Sequence, residues 1–182
     1  LYLMLASFVG PLFLSFDKKV AFYKNWIPLF KAIALVAIPF LVWDILFTHF
    51  GIWGFNEAYT SGIYLFGLPL GEYLFFIVIP YCCVFLYEVM NSYVASDVLK
   101  KYEVSISNYL LGFSAALAVV FYDKWYSLLA FGFSTLVIYW HSKVNKTEWL
   151  SRFYLSFIVI LAPFFIVNGI LTGTGLLQEV VW

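Results

Sequence analysis

Asp44, Glu72 and Asn168 are the residues from which chemistry can be argued first. Each lies in or at the edge of a long apolar run. An ionisable group at membrane depth is costly enough to be a functional candidate by default. Helical spacing places Asp44 in the last turn of one apolar segment, Glu72 at the start of the next, and Asn168 near the end of the last. The three could converge at one membrane interface, where paired carboxyls and an amide suit proton transfer. Glu88 follows Glu72 by 16 residues, about 24 Å along a helix at 1.5 Å per residue, and so belongs to the other end. Plainer roles stand beside these. Glu72 could complement a helix macrodipole, Asp44 could reach interfacial water, and Glu88 could pair with a basic residue of the adjoining loop. His49 and His141 fall at helix ends and read as solvated. Cys82 and Cys83 are adjacent, which disfavours pairing, and show no metal-ligand spacing, so they read as small buried residues. No Lys lies in a helix interior, which argues against a Schiff base. No Asp-rich diphosphate motif occurs, and Gly173-Thr-Gly175 follows no strand.

The elements that must hold these residues are membrane helices. The chain is 64% hydrophobic and 11% charged, against roughly 25% charged in soluble domains. It has too little polar surface to cover a soluble fold. Its formal net charge of zero gives no electrostatic case for nucleic acid or an anionic substrate. A span needs about 20 mostly apolar residues. Six such segments are expected: Leu1–Phe16, lacking its first residues, Leu29–Phe47, Leu70–Met90, Ile106–Tyr122, Trp125–Trp140 and Leu150–Leu171. Pro39, Pro80 and Pro163 fall inside them, as bilayer helices permit. No cleavable leader is read at the start, since no small-residue cleavage site follows the first apolar run. The fold class is therefore an all-α polytopic transmembrane bundle, with residues 1–182 forming a single transmembrane domain.

Nine of the ten basic residues, in the groups Lys18–Lys31, Lys100–Lys101 and Lys143–Arg152, fall in alternate connections; Lys124 alone falls on the other side. The positive-inside rule makes the first side cytoplasmic, in a multi-pass protein of the cell's inner membrane. The connection Thr48–Pro69 carries no Lys or Arg and holds Trp53, Phe55, Asn56, Tyr59 and Tyr64. It is either an aromatic interface belt or a cap over a pocket, being long for a compact bundle.

A weak internal repeat is also present. Ile38–Thr48 resembles Ala162–Thr172 at a constant offset of 124, with Pro, Phe and Thr recurring and Asp44 aligned to Asn168. The segments run the same way through the bilayer, so the repeat is parallel. It implies a three-plus-one-plus-three plan of seven helices. Repeat one is about residues 1–95, the linker helix about 106–122, and repeat two about 125–182 and incomplete. Parallel repeats tend to place a site at their interface.

The chain resembles the small membrane-bound lycopene cyclases, the bacterial heterodimer type related to the cyclase portion of archaeal and fungal fusions. The likeness rests on Trp43-Asp44, Gly51-Ile-Trp-Gly-Phe-Asn56, Tyr59, Gly62, Leu68-Pro-Leu-Gly-Glu-Tyr-Leu-Phe-Phe76 and Pro80 in the first half. In the second half it rests on Asn168-Gly-Ile-Leu-Thr172 and Val180-Val-Trp182. It departs from the family where two consecutive glutamates are usual after Leu-Pro-Leu: here Gly71 precedes Glu72. The family's second repeat ends in a Pro-x-Glu-Asp stretch, which this sequence stops short of.

The resemblance implies carotenoid biosynthesis: closure of a linear ψ end of lycopene to a β-ionone ring, an isomerisation on the way to β-carotene; the sequence does not separate β-ring from ε-ring or one-end from two-end closure. A proton adds to the terminal alkene, an internal double bond attacks the cation, and a proton leaves. No electrons are transferred, so stoichiometry requires no redox cofactor; no cofactor and no metal are expected. An acid for this step must be held out of water. Aromatic faces stabilise the cation that water would quench. Glu72 and Asp44 are the expected acid–base pair, with Asn168 and Asn56 orienting them. Trp43, Trp53, Phe55, Phe75 and Phe76 are expected to line the substrate and stabilise the cation. The partners implied are lycopene or a related linear carotenoid, the lipid bilayer, and either a homologous second subunit or further copies of the chain. Two other readings fit the scaffold. A small-solute transporter can share the three-plus-one-plus-three plan but should show a polar pathway through the bundle. A carotenoid end-group hydratase would share the first protonation.

Overall fold

The computed structural model describes residues 2–173. Leu1, the Val180–Trp182 match and the rest of the expected second repeat lie outside the described residues. The described chain forms six helices: α1 Tyr2–Leu14, α2 Trp26–His49, α3 Leu70–Tyr93, α4 Glu103–Val120, α5 Trp125–Tyr139 and α6 Leu150–Thr172. A two-stranded hairpin, β1 Tyr64–Leu65 and β2 Leu68–Pro69, leads into α3. The stretches Phe22–His49, Leu70–Tyr93, Lys100–Val120 and Leu150–Thr172 are long and apolar enough to cross a membrane by themselves. α1 and α5 are shorter, and α5 continues into a π-helical turn, Trp140–Val144.

At two helix ends that differ from the sequence reading, local chemistry explains the difference. α1 stops at Leu14 rather than Phe16 because the amides of Phe16 and Asp17 fold back onto Phe13 and Leu14. The Asp17 carboxylate then accepts the amides of Val20 and Lys19 and the Tyr93 hydroxyl, and the amide of Val20 above all holds its pKa below the usual range. α2 starts at Trp26, three residues before the expected Leu29, with Pro28 inside its first turn. Proline is tolerated there because first-turn amides have no helical acceptor.

The contacts divide the chain into two compact units: Leu1–Tyr93 with Ile158–Trp182, and Val94–Phe157. In the first, α1 and α2 both pack on α3. The core gathers Phe22, Leu29, Ile33 and Phe85 around Tyr81, which is fully buried. The Tyr81 hydroxyl is paired with the Ser15 hydroxyl at 2.6 Å and accepts the Trp26 indole N–H at 3.0 Å, while Ser15 Oγ donates to the Pro11 carbonyl at 2.6 Å. Phe8, Phe22 and Phe30 enclose the ring. Pro11, lacking an N–H, leaves the Ser7 carbonyl without its helical donor. The Cys82 thiol of α3 donates to that carbonyl at 3.6 Å. Tyr81→Phe should strand the Trp26 N–H and cost about 1–3 kcal/mol. The expected result is a lower thermal midpoint in detergent; an unchanged midpoint would show that the hydroxyl bonds add nothing.

In the second unit α4 and α5 pack as a hairpin, joined through Ser114 and Thr135 at 2.8 Å. The start of α6 is tied in by Tyr154 to Ser107 at 2.8 Å and by Ser151 to Asp97 at 2.6 Å. Arg152, expected in a solvated basic loop, is anchored on the Val94 and Ala95 carbonyls beside Asp97. His141, expected to be solvated, is half-buried against Trp149 with Nδ1 shielded. The ion pairs among the described residues are Lys100–Glu103 and Arg152–Asp97. Glu88 is in neither, which corrects the expected pairing with a loop lysine.

Candidate functional site

The end of α2 builds the first half of the site. Phe50 closes the helix, and Gly51 takes φ 66°, a left-handed conformation that suits glycine. The Ile52 amide bonds the Phe47 carbonyl at 2.9 Å and the Gly51 amide bonds Thr48 at 3.1 Å. This is a Schellman termination, which satisfies the free carbonyls and reverses the chain. The reversal brings Trp53 back along the helix, where its indole N–H donates to Asp44 Oδ1 at 2.8 Å. Asp44 is 5% exposed. Its other oxygen, the Trp43 indole nitrogen and the Thr48 hydroxyl are buried without a hydrogen-bond partner. Buried polar atoms are nearly always paired, so this concentration of orphans marks the last turn of α2 as chemically unusual. At the position 124 residues on, Thr172 instead bonds the Asn168 carbonyl at 2.9 Å.

The hairpin builds the second half. Phe66 and Gly67 both have positive φ, 51° and 84°, the two-residue turn whose twist suits paired strands. The Leu70 amide bonds Ile63 O, and the Tyr73 hydroxyl bonds Leu65 O at 2.8 Å, so the hairpin is fastened to the first turns of α3. That fastening sets Glu72 in the first turn of α3, in the wall of a cavity of about 40 Å³. Phe55, Tyr59, Thr60 and Ser61 of the long connection line it with Glu72, Gly71 and Phe75. The connection therefore supplies part of the pocket wall.

Four of the five expected aromatic residues belong to one connected row. Phe75 meets Phe76 edge-on at 5.5 Å, Phe76 stacks on Phe40 at 6.4 Å, and Phe40 stacks on Trp43 at 5.8 Å. Trp43 meets Phe47 at 5.4 Å, and Phe47 meets Trp53 at 4.9 Å. The row runs from the wall of the Glu72 cavity to the indole that holds Asp44. Phe55 stands apart from it, in the cap. Phe40 and Phe47 were missed by the sequence reading. Their i, i+3 and i+4 spacing around Trp43 was the available signal, hidden among other apolar residues.

The two asparagines lie in different surroundings. Asn56 Oδ1 accepts the Ala58 amide at 3.0 Å and caps the short turn Glu57–Tyr59. That hydrogen bond shapes the loop. Asn168 lines a second, larger cavity of about 390 Å³ walled by α1, α3 and α6, together with Cys82 and Cys83. Phe75 and Leu171 belong to both cavities.

A family model described as lycopene cyclase matches this chain over residues 1–90 and 123–182. No curated protein and no solved structure matches it.

Proposed function

Because the chain belongs to the lycopene cyclase family, we propose that it closes the ψ end of lycopene to a β-ionone ring within the membrane, with Glu72 and Asp44 as the acid–base pair. The observation that carries this reading is Glu72 set under an aromatic cap, joined by a row of aromatic rings to a buried Asp44. The Glu72 carboxyl gives its proton to the terminal alkene and leaves a tertiary cation. The internal double bond supplies the electron pair for the new carbon–carbon bond, and the charge moves to the carbon it leaves. Loss of a neighbouring proton to the carboxylate pair forms the ring alkene and restores the starting charge. Atoms and electrons balance without an oxidant. The faces of Phe75, Phe76 and Trp43 offer negative quadrupole to the passing cation, and the cap excludes water that would trap it as an alcohol.

Pigment analysis after expression of the full-length protein in lycopene-producing cells tests this directly. A β-ring product supports the reading. A tertiary alcohol would replace it with hydration, and unchanged lycopene would remove it.

The parallel repeat belongs to the same proposal. It is supported by the two blocks matched by the family model, which flank the segment carrying α4. The basic loops are cytoplasmic in this arrangement, and α2 and α6 both run outward. Single cysteines at positions 49 and 172 should therefore react with an impermeant maleimide applied outside the cell, and one at position 101 should not. Ready labelling at 101 would invert the orientation, and opposite behaviour at 49 and 172 would refute the parallel repeat.

A further inference from the structure

We infer that the 390 Å³ cavity walled by α1, α3 and α6 is the chamber that holds the hydrocarbon end group while Glu72 acts on it; this rests on the reading above. Size is the first argument. An apolar cavity of about 150 Å³ stays dry and accepts a benzene ring, and this one is more than twice as large. It falls in the range of about 300–1,000 Å³ typical of ligand pockets.

The lining is the second argument. Most of the wall is hydrocarbon. Among its polar groups, the Ser7 hydroxyl already donates to the Leu3 carbonyl at 2.9 Å and the Cys82 thiol to the Ser7 carbonyl. That leaves the Asn168 amide and the Cys83 thiol facing a space suited to an apolar guest. Gly10 opens it on the α1 side: a Cβ built there meets no heavy atom within 4 Å.

Adjacency is the third. Phe75 and Leu171 wall both this chamber and the small Glu72 cavity. Phe75 lies three residues after Glu72, on the same face of α3. An end group seated in the chamber therefore lies against Phe75, the first ring of the aromatic row and a wall of the Glu72 cavity. The small cavity alone, at about 40 Å³, is far too small for a ring-forming end. Asn168 falls in the chamber wall and away from Asp44's hydrogen bonds, which makes it a positioning residue for the substrate.

The test uses the full-length protein in membranes. Cys82→Ala leaves Cys83 as the reporter within these 182 residues. Combined with Glu72→Gln to stop turnover, its reaction with an apolar maleimide is compared between lycopene-free and lycopene-producing membranes. The expected result is slowing by about tenfold, as for a site about nine-tenths occupied. A graded series, Gly10→Ala, Gly10→Leu and Gly10→Phe, fills the chamber from the opposite wall. The larger two should abolish both the protection and ring formation, with product falling on the order of 10²-fold, as for a substrate displaced by about 1 Å. If the parent cyclises lycopene but Cys83 reacts equally with and without it, the chamber is wrong and the function stands. If lycopene protects Cys83 but the parent makes no ring, the chamber stands and the function is wrong. If Cys83 is inert in both membranes, lipid or protein already fills the space and the inference is overturned. If Gly10→Phe fails to accumulate, Gly10→Leu and the protection measurement still decide it.

Discussion

Glu72→Gln should leave the protein folded and able to bind lycopene but remove most ring formation, a fall of about 10²–10⁴-fold, the usual contribution of a general acid or base. The substitution preserves shape and removes the transferable proton. Glu72 makes no hydrogen bond to another described residue, so little structure depends on its charge. Pigment extraction beside an immunoblot separates lost chemistry from lost protein. Glu88→Gln is the control, since Glu88 sits on the same helix about 24 Å farther along. Activity retained by Glu72→Gln and lost by Glu88→Gln would place the site at the other end of the bundle. Gly71→Glu restores the family's paired glutamates. A large gain from it would move the acid from position 72 to position 71.

Asp44→Asn should lower product on the same 10²-fold order if the two carboxyls act as one unit. The amide oxygen can still accept the Trp53 N–H, and the amide nitrogen replaces the oxygen that has no partner. The geometry survives while the proton-accepting group is lost. Residues that act together are strongly non-additive. The Glu72→Gln, Asp44→Asn double variant should therefore be little worse than Glu72→Gln alone. Multiplied losses would assign Asp44 a separate role. Trp53→Phe asks a different question. It leaves both oxygens of a buried carboxyl unpaired at a cost of about 1–3 kcal/mol and releases the loop from α2. A thermal midpoint that falls, with product recovering at lower temperature, would identify Trp53 as a support for Asp44. Lost product at an unchanged midpoint would place its ring against the substrate.

The helices were legible because hydrocarbon forces long uninterrupted apolar runs. The boundaries that slipped did so at particular groups: Pro28 hid the first turn of α2, and the Asp17 turn ended α1 two residues early. Gly51 and Gly67 suit the positive φ found at their turns, whereas Phe66 at positive φ carries no such signal in the sequence, being a bulky residue. Tyr81 and Ser15 were unreadable as a pair. They are 66 residues apart, and each is unremarked in its own helix.

The residue order by itself determined the membrane bundle, the depth of Asp44 and Glu72 in their helices, and the aromatic richness of the Thr48–Pro69 connection. These are local properties, set by hydropathy and helical rise. Which of the carboxyls and amides meet was decided only by the tertiary structure. The Gly51 reversal brings Trp53 onto Asp44, and the Phe66–Gly67 hairpin seats Glu72 beneath the loop. Asn56, equally promising in the sequence, caps a turn with its side-chain oxygen, and Asn168 lines a different cavity. Helical spacing fixes height along an axis. Which way a side chain faces, and across what space, depends on the packing of neighbouring helices and on the hydrogen bonds that fold the loop between them.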